Sequence, residues 1–447
     1  MSPRLSLFAL ALLLGGCAAP LAQQGFTDIT DRTASSIGSR PAWLLSSADE
    51  AAARQRLDQL LAAPLDIDSA VQIALLNNRH LQQSYAELGI GAADLAAARR
   101  PENPGIGFGR FRRGQEIEIE RSLGFNLLGL LALPVTAGIE ERRFEQTKLR
   151  LAAESLALAA RVKLAWYDAV AAAQLAQHAE QVTEAAATQA ELARRMRAAG
   201  NWSLLDYSRE QLFHGEAAAR LAKTRLAADR AREKLGRLLG LWGADMAYRL
   251  PERLPALPAA PRQIDNIEAA TIAGRLDIQM AQADLAALGR AHGLTQATRF
   301  INLLETGLVR NSESGRKDQT GYELRLEVPL FDFGDARATR AEHLYRQGLQ
   351  HLAALAVDAR SAARESYLGY RTSFDLARHH QQNLLPLRQK ISEEMLLRYN
   401  GMLVSVFDLL ADAREQILAT EAALEAQRDF WRADTELSFV TLIAPQD

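Results

Sequence analysis

The feature that most limits how this chain can fold is the stretch 139–199, which contains neither proline nor glycine. It is rich in Ala, Leu, Glu, Gln and Arg, residues that lose little on entering a helix. At ~1.5 Å per residue such a helix is about 90 Å long. That is far beyond the three or four turns usual in globular proteins. Gly200-Asn201 interrupts it, and a second helical stretch over 203–239 returns. Gly240, Gly243 and a proline-rich run at 251–261 close it.

The same order then recurs. A medium helix over 68–99 precedes the first hairpin, with Val71, Leu75, Leu81, Leu88 and Leu95 at helical spacing. Another over 265–297 precedes a second hairpin, 336–399 and 404–442, broken at Asn400-Gly401. Pro386 falls inside its long arm and predicts a kink. Residues 78–88 read NRHLQQSYAEL and residues 275–285 read RLDIQMAQADL. Residues 204–212 read LLDYSREQL and residues 409–417 read LLADAREQI. A period near 200 residues is a domain-sized duplication rather than a solenoid repeat.

Each copy carries a non-helical insert, at 103–134 and 300–333. Ile117-Glu118-Ile119-Glu120 alternates at period two, and so does 322–328. Each insert reads as two strands and a loop. Four strands cannot close a membrane barrel, which needs at least about eight and no free edge. If these strands cross a bilayer, several chains must therefore pool them. Two chains would fill a small barrel, and three would leave room for a lumen.

The bulk numbers remove other classes. Lys plus Arg is 52 and Asp plus Glu is 54, a net charge of -2, which does not suit a nucleic-acid binder. The single cysteine, Cys17, rules out an intrachain disulfide. It follows one basic residue, a short apolar run and Gly15-Gly16, the parts of a secretory signal. Leu14-Gly15-Gly16-Cys17 resembles a lipobox, the site of cleavage and acylation in bacterial lipoproteins. Ala18 rather than aspartate follows it, which by resemblance to enterobacterial sorting favours the outer membrane. No later stretch approaches ~20 apolar residues, so any crossing of a bilayer would be by strands.

Residues 70–88 followed by Arg100-Pro101-Glu102-Asn103-Pro104 are similar to the opening motif of the outer-membrane efflux protein family, whose type member is TolC. Val328-Pro329-Leu330-Phe331-Asp332-Phe333-Gly334 is similar to that family's strand-to-helix junction. The resemblance spans about 66–443 and points to the lipidated branch. It implies a mainly α fold with a small β part. Duplicated hairpins would form an α-barrel, and four strands per chain would join a trimeric outer-membrane β-barrel. The expected organisation is a signal peptide at 1–16 and a lipidated extended segment at 17–64. A first repeat covers 65–262, with strands about 104–126 and a hairpin about 135–245. A second covers 263–447, with strands about 300–330 and a hairpin about 334–443.

The resemblance also implies a function. The chain would be one subunit of a homotrimeric, lipid-anchored outer-membrane channel that extends into the periplasm. It would receive substrate from a periplasmic adaptor and an inner-membrane efflux pump. The alternative is a non-conducting lipoprotein scaffold or stalk. In the family, aspartates just past the hairpin tips ring the periplasmic mouth. That role falls to Asp408, Asp412 and Asp206. The other reading is a helix-start aspartate favoured by the helix dipole. Gly200, Asn201, Trp202, Asn400, Gly401 and Met402 mark the tips, and the resemblance makes them adaptor contacts. A reversal often needs positive φ, which Asn and Gly tolerate.

No catalytic constellation emerges, and neither a cofactor nor a metal site is expected. His379-His380 is an adjacent pair, and neighbours on a helix point about 100° apart, which suits solvated surface better than a metal site. The glycines of 105–109 open a strand and do not form a phosphate loop.

Overall fold

The structure is a computed structural model and describes residues 18–298, 303–327, 331 and 333–444. Cys17, and with it the lipidation expectation, lies outside the described residues, as do 328–330 and 332 of the second junction. In chain order the elements are α1 (Ala18–Ile37), α2 (Ser47–Leu61), α3 (Ile67–Asn77), α4 (Arg79–Ala98), β1 (Gly105–Arg113), β2 (Glu116–Asn126), α5 (Leu127–Ala198) and α6 (Leu204–Leu239). The second half repeats the series from α3: α7 (Ile267–Gly274), α8 (Leu276–Thr298), β3 (Leu304–Glu313), β4 (Gln319–Leu326), α9 (Asp335–His379), a π-helical turn (His380–Leu384), α10 (Leu385–Asn400) and α11 (Val406–Val440). The fold is mainly α with one small antiparallel sheet, ordered β1-β2-β3-β4 among the described residues. The two inserts therefore share a sheet, joined through β2 and β3.

Residues 17–64 are expected to be extended, and the structure corrects this. Helices α1 and α2 occupy most of that segment. Glycine and threonine lower the intrinsic helix preference of α1. Thr27 and Thr30 hydroxyls donate to carbonyls one turn back, which keeps them compatible with helix. Packing decides the matter. Ile29 is fully buried, and Phe26 meets Tyr85 edge-on at 5.1 Å between centroids. A side chain at Gly25 would run into the Phe144 ring, so glycine there permits the close approach. Ser46 starts α2 with a capping box to Asp49.

The two medium helices are each broken in two, at Asn78 and Arg275, positions equivalent in the internal repeat. Both break residues are buried and extended in backbone. The first break has a clear cause. Asn78 Nδ2 donates to Leu238 O at 2.8 Å and Asn77 Nδ2 donates to Gly240 O at 2.8 Å. The last carbonyls of α6, which have no partner within their own helix, are satisfied by side chains. Asn78 Oδ1 also accepts from Leu81 N and so starts α4.

Helix α5 begins at Leu127, earlier than the expected 139, and holds Pro134 as its eighth residue. Proline there supplies no amide for the carbonyl four residues back, and the helix continues past it. Instead of the plain kink expected at Pro386, a π-helical turn precedes that proline, which opens α10.

The chain divides into two compact units. The first comprises residues up to 31, 83–152 and 276–357, and holds the sheet. Lys148 Nζ ties α5 to α1 there, 2.6 Å from Asp28. The second comprises 32–82, 153–275 and 358–447, and holds both hairpin ends. Its packing centres on Tyr370, Phe374 and Phe430, with Tyr167 stacked on Trp431 at 5.5 Å. Trp166 Nε1 donates to Leu65 O and Trp431 Nε1 to Pro255 O, so one buried and one half-buried indole hold connecting segments in place. Arg432 meets Asp168 at 2.6 Å and links the returning helix of one copy to the long helix of the other.

Gly240 ends α6 at φ +71°, and a Cβ there would lie 2.6 Å from the Asn77 carbonyl. Gly240→Ala should lower stability by about 1–3 kcal/mol, from left-handed strain plus displacement of Asn77. Thermal or urea unfolding reads this directly, and an unshifted transition would contradict the account of the break.

Candidate channel wall and hairpin ends

In the first unit the sheet has two chemically different faces. Residues directly opposite in the ladder point the same way, and neighbours along a strand point opposite ways. One face carries the row Ile106, Leu123, Leu308 and Tyr322, then Phe125, Thr306 and Leu324, then Leu304 and Leu326. These side chains are mostly exposed in the single chain: Ile106 is 83% accessible and Phe108 70%. The other face carries Gly107, Gly109, Gly124, Gly307 and Gly321 with Glu116, Glu118, Glu120, Glu305, Glu313 and Glu323. Arg113 and Arg325 are the basic residues of that face, and Arg325 pairs with Glu305 at 3.1 Å. The first face also carries Arg110, Arg112, Arg121 and Arg310 among its apolar side chains, whereas the second is dominated by glutamate and glycine.

In the second unit the two hairpin ends meet each other. Trp202 packs on Phe407 at 5.0 Å between centroids. Trp202 is half-buried by this contact, whereas Gly200, Asn201, Asn400, Gly401 and Met402 are exposed. Gly200 reverses the first turn at φ +77°. In the second turn the left-handed residue is not Asn400 or Gly401 but Met402, at φ +60°. This corrects the expectation that Asn and Gly supply the reversal. Gly401 N–H caps α10 on the Leu397 carbonyl, which moves the reversal one residue on. A non-glycine residue held there is strained by order 1–3 kcal/mol, and Met402 is 94% exposed, so its side chain gains no burial in return.

The three aspartates do not form one cluster. Asp206 and Asp408 are capping residues. Ser203 Oγ donates to Asp206 at 2.6 Å while accepting from its amide, and Ser405 does the same to Asp408 at 2.7 Å. The Ser405 hydroxyl and amide hold the Asp408 carboxyl below its usual value. Structurally Asp206 therefore corresponds to Asp408, whereas the sequence match sets it against Ala411. Asp412 differs from both. It is 8% exposed, accepts from Ser392 Oγ at 2.5 Å, and lies 3.5 Å from Arg388 Nη1. Asp408 is exposed and Asp412 faces the opposing arm of its own hairpin, so sharing a helical side does not bring them together.

Sequence reasoning misses the group that ties the two ends. The repeated tripeptides Arg209-Glu210-Gln211 and Arg414-Glu415-Gln416 are the signal for it. Gln211 donates to Ala190 O at 3.0 Å, and Gln416 accepts from Ser392 at 3.2 Å, so each glutamine grips the long arm of its own hairpin. Glu415 reaches Arg388 at 2.6 Å. Glu210, 3% exposed, pairs with Arg414 of the other copy at 3.0 Å, and that guanidinium lies 4.3 Å above Phe213. His379 is exposed, with Nδ1 2.9 Å from Asn383 Nδ2. Among the described residues no group of three or more His, Cys, Asp or Glu is placed to hold a metal ion.

With this geometry in place, the comparisons with known proteins are decisive for the fold. The outer-membrane channel OprN matches at TM-score 0.70 and 19% identity, over 87% of this chain and 91% of that one. The open-state MtrE outer-membrane channel of Neisseria gonorrhoeae matches at TM-score 0.70 and 16% identity, over 85% and 90%. The fold is that of the TolC-like outer-membrane efflux channels. Protein CyaE of Bordetella pertussis is 30% identical over 324 residues, 66% of this chain and 65% of that protein. The match thus spans just under two thirds of the curated relative. No family model matches the chain. The neighbours are channel proteins, not enzymes.

Removing Glu210 leaves the partly exposed Arg414 charge without the buried carboxylate that pairs with it. Glu210→Ala should cost about 1–3 kcal/mol, and Glu210→Ala/Arg414→Ala less than the sum of the single changes. A double-mutant cycle measured by urea unfolding checks this, and strict additivity would remove the pair from the account.

Proposed function

We propose that the chain is one subunit of an outer-membrane channel in a tripartite efflux system. The observation that carries this reading is the two-faced sheet with single-neighbour strands β1 and β4 at its ends. Backbone groups at such edges cannot face hydrocarbon unpaired. Pairing β1 of one copy with β4 of the next satisfies them. Three copies make a twelve-stranded barrel, wide enough for a lumen. The apolar face then meets lipid and the glutamate face lines the water. Cys17 is the proposed lipid anchor and the helices a periplasmic tunnel. The exposed tips Gly200, Asn201, Asn400, Gly401 and Met402, with Trp202 beside them, are the proposed contact for a periplasmic adaptor, which delivers substrate from an inner-membrane pump. Met402 and the neighbouring exposed Leu403 offer such a partner apolar surface.

The acidic hairpin residues fit a mouth held narrow by pairing. Asp412 closes on Arg388 and Ser392, and Asp206 and Asp408 add negative charge at the two helix starts. Symmetry copies would focus that field and favour cations.

Purified protein in a planar bilayer should give a cation-selective conductance. Asp408→Ala/Asp412→Ala should raise it, by loosening the mouth. Glu116→Gln/Glu118→Gln/Glu120→Gln should shift the reversal potential toward anions without raising it. An unchanged conductance and selectivity in the aspartate variant would defeat the gate assignment. Absence of any conductance would favour a scaffold.

A further inference from the structure

We propose that the lipid-facing side of the sheet carries a binding site for phosphorylated lipid in the outer leaflet. Arg110, Arg112, Arg121 and Arg310 all lie on the apolar face: Arg110 and Arg112 toward the β-turn end of β1, Arg121 at the middle of β2 and Arg310 opposite it in β3. All four are exposed. That face holds no aspartate or glutamate in any of the four strands. Every glutamate of the strands is on the opposite side. Charge is therefore sorted across the sheet: basic among apolar side chains on one side, acidic on the other.

Arg121 and Arg310 are the informative pair. They sit directly opposite each other in the ladder. Like charges so placed repel, and cross-strand neighbours are only about 5 Å apart at Cβ. Arg310 forks onto Asp318 of the following turn, at 2.5 and 3.1 Å. Arg121 donates to Ser312 Oγ at 3.2 Å, a neutral partner. Arg112 donates to the Gly114 carbonyl at 2.9 Å, also neutral. One carboxylate thus serves four guanidinium groups. An anion with several acceptor oxygens would relieve the rest, and the planar fork of arginine matches phosphate.

The surroundings choose among anions. Leu123 and Leu308 are two residues below the arginine row on the same face, about 7 Å along the strands. A ligand seated here meets cations at one end and bare hydrocarbon at the other. Free phosphate uses only the first. A phosphorylated lipid uses both, with its headgroup at the arginines and its chains on the leucines. The inference rests on the reading of this sheet as part of a membrane barrel.

The test uses the full chain as its purified oligomer. It is exposed to vesicles containing a bis-phosphorylated glycolipid, to vesicles of the same lipid stripped of phosphate, and to inorganic phosphate alone. Retained lipid is counted by native mass spectrometry. Wild type should retain the phosphorylated lipid at least about tenfold over the stripped one. Arg110→Gln/Arg112→Gln/Arg121→Gln/Arg310→Gln should abolish the preference, and the matching lysine variant should keep most of it. Equal retention of both lipids overturns the site. Competition by millimolar inorganic phosphate also overturns it, in favour of a free-anion site. Conductance is recorded on the same samples. A glutamine variant that still conducts while losing the preference supports the site. A wild type that shows the preference without conducting supports it too, and defeats only the channel reading.

Discussion

Strands β1 and β4 each have one neighbour in the sheet, so each leaves a row of amide and carbonyl groups unpaired within the chain. The rest of the proposed architecture follows from that row. Water could satisfy it for a soluble protein, but one face of this sheet is built from Ile106, Phe108, Leu308 and Tyr322, side chains that water does not reward. In hydrocarbon every backbone group needs a protein partner. A sheet with an apolar face, an acidic face and two open edges is thus an incomplete object. It becomes complete when copies close around an axis, which places glutamate and glycine inside and arginine and leucine outside.

The helical part answers a different constraint. Arms this long cannot be held by propensity alone. The chain fastens them at intervals with polar contacts between copies of the repeat. Arg432 with Asp168 is one such contact, and Arg414 with Glu210 is another nearer the tips. Trp202 against Phe407 joins the ends themselves. A contact of this kind has two discrete arrangements, made and unmade, and so suits a mouth that must open. The strained, exposed Met402 sits at the tip proposed as the adaptor contact.

Much of the fold was legible because its signals are local. Missing proline and glycine over 139–199 marks the long arm, and the alternation read over 322–328 marks β4, which spans Gln319–Leu326. The breaks at Asn78 and Arg275 were not legible, because helix-forming sequence continues on both sides. At Asn78 the break is fixed by bonds to a helix end some 160 residues away. Helix α1 was hidden for the opposite reason: its threonines and Gly25 argue locally against helix, and packing against Phe144 and Tyr85 prevails. At the hairpin ends the Ser-x-x-Asp spacing of Ser203–Asp206 and Ser405–Asp408 was present in the sequence as a capping signal. The family likeness assigns these carboxylates to the mouth, while the spacing assigns them to the helix starts. The Arg-Glu-Gln repeat was visible as a repeat, but its cross-copy pairing needed coordinates.

The central claim is that β1 of one copy pairs with β4 of the next and that three copies close the ring. Cys17 is the chain's single cysteine, so introduced thiols can be placed cleanly. Ile106→Cys and Tyr322→Cys put one thiol on each edge strand. Treating the membrane-embedded double variant with a short bis-maleimide and separating the products by size tests the claim most directly. Covalent species that end at three subunits, with neither single variant passing two, are the predicted result. Products that stop at one subunit, or a ladder running past three, would contradict it.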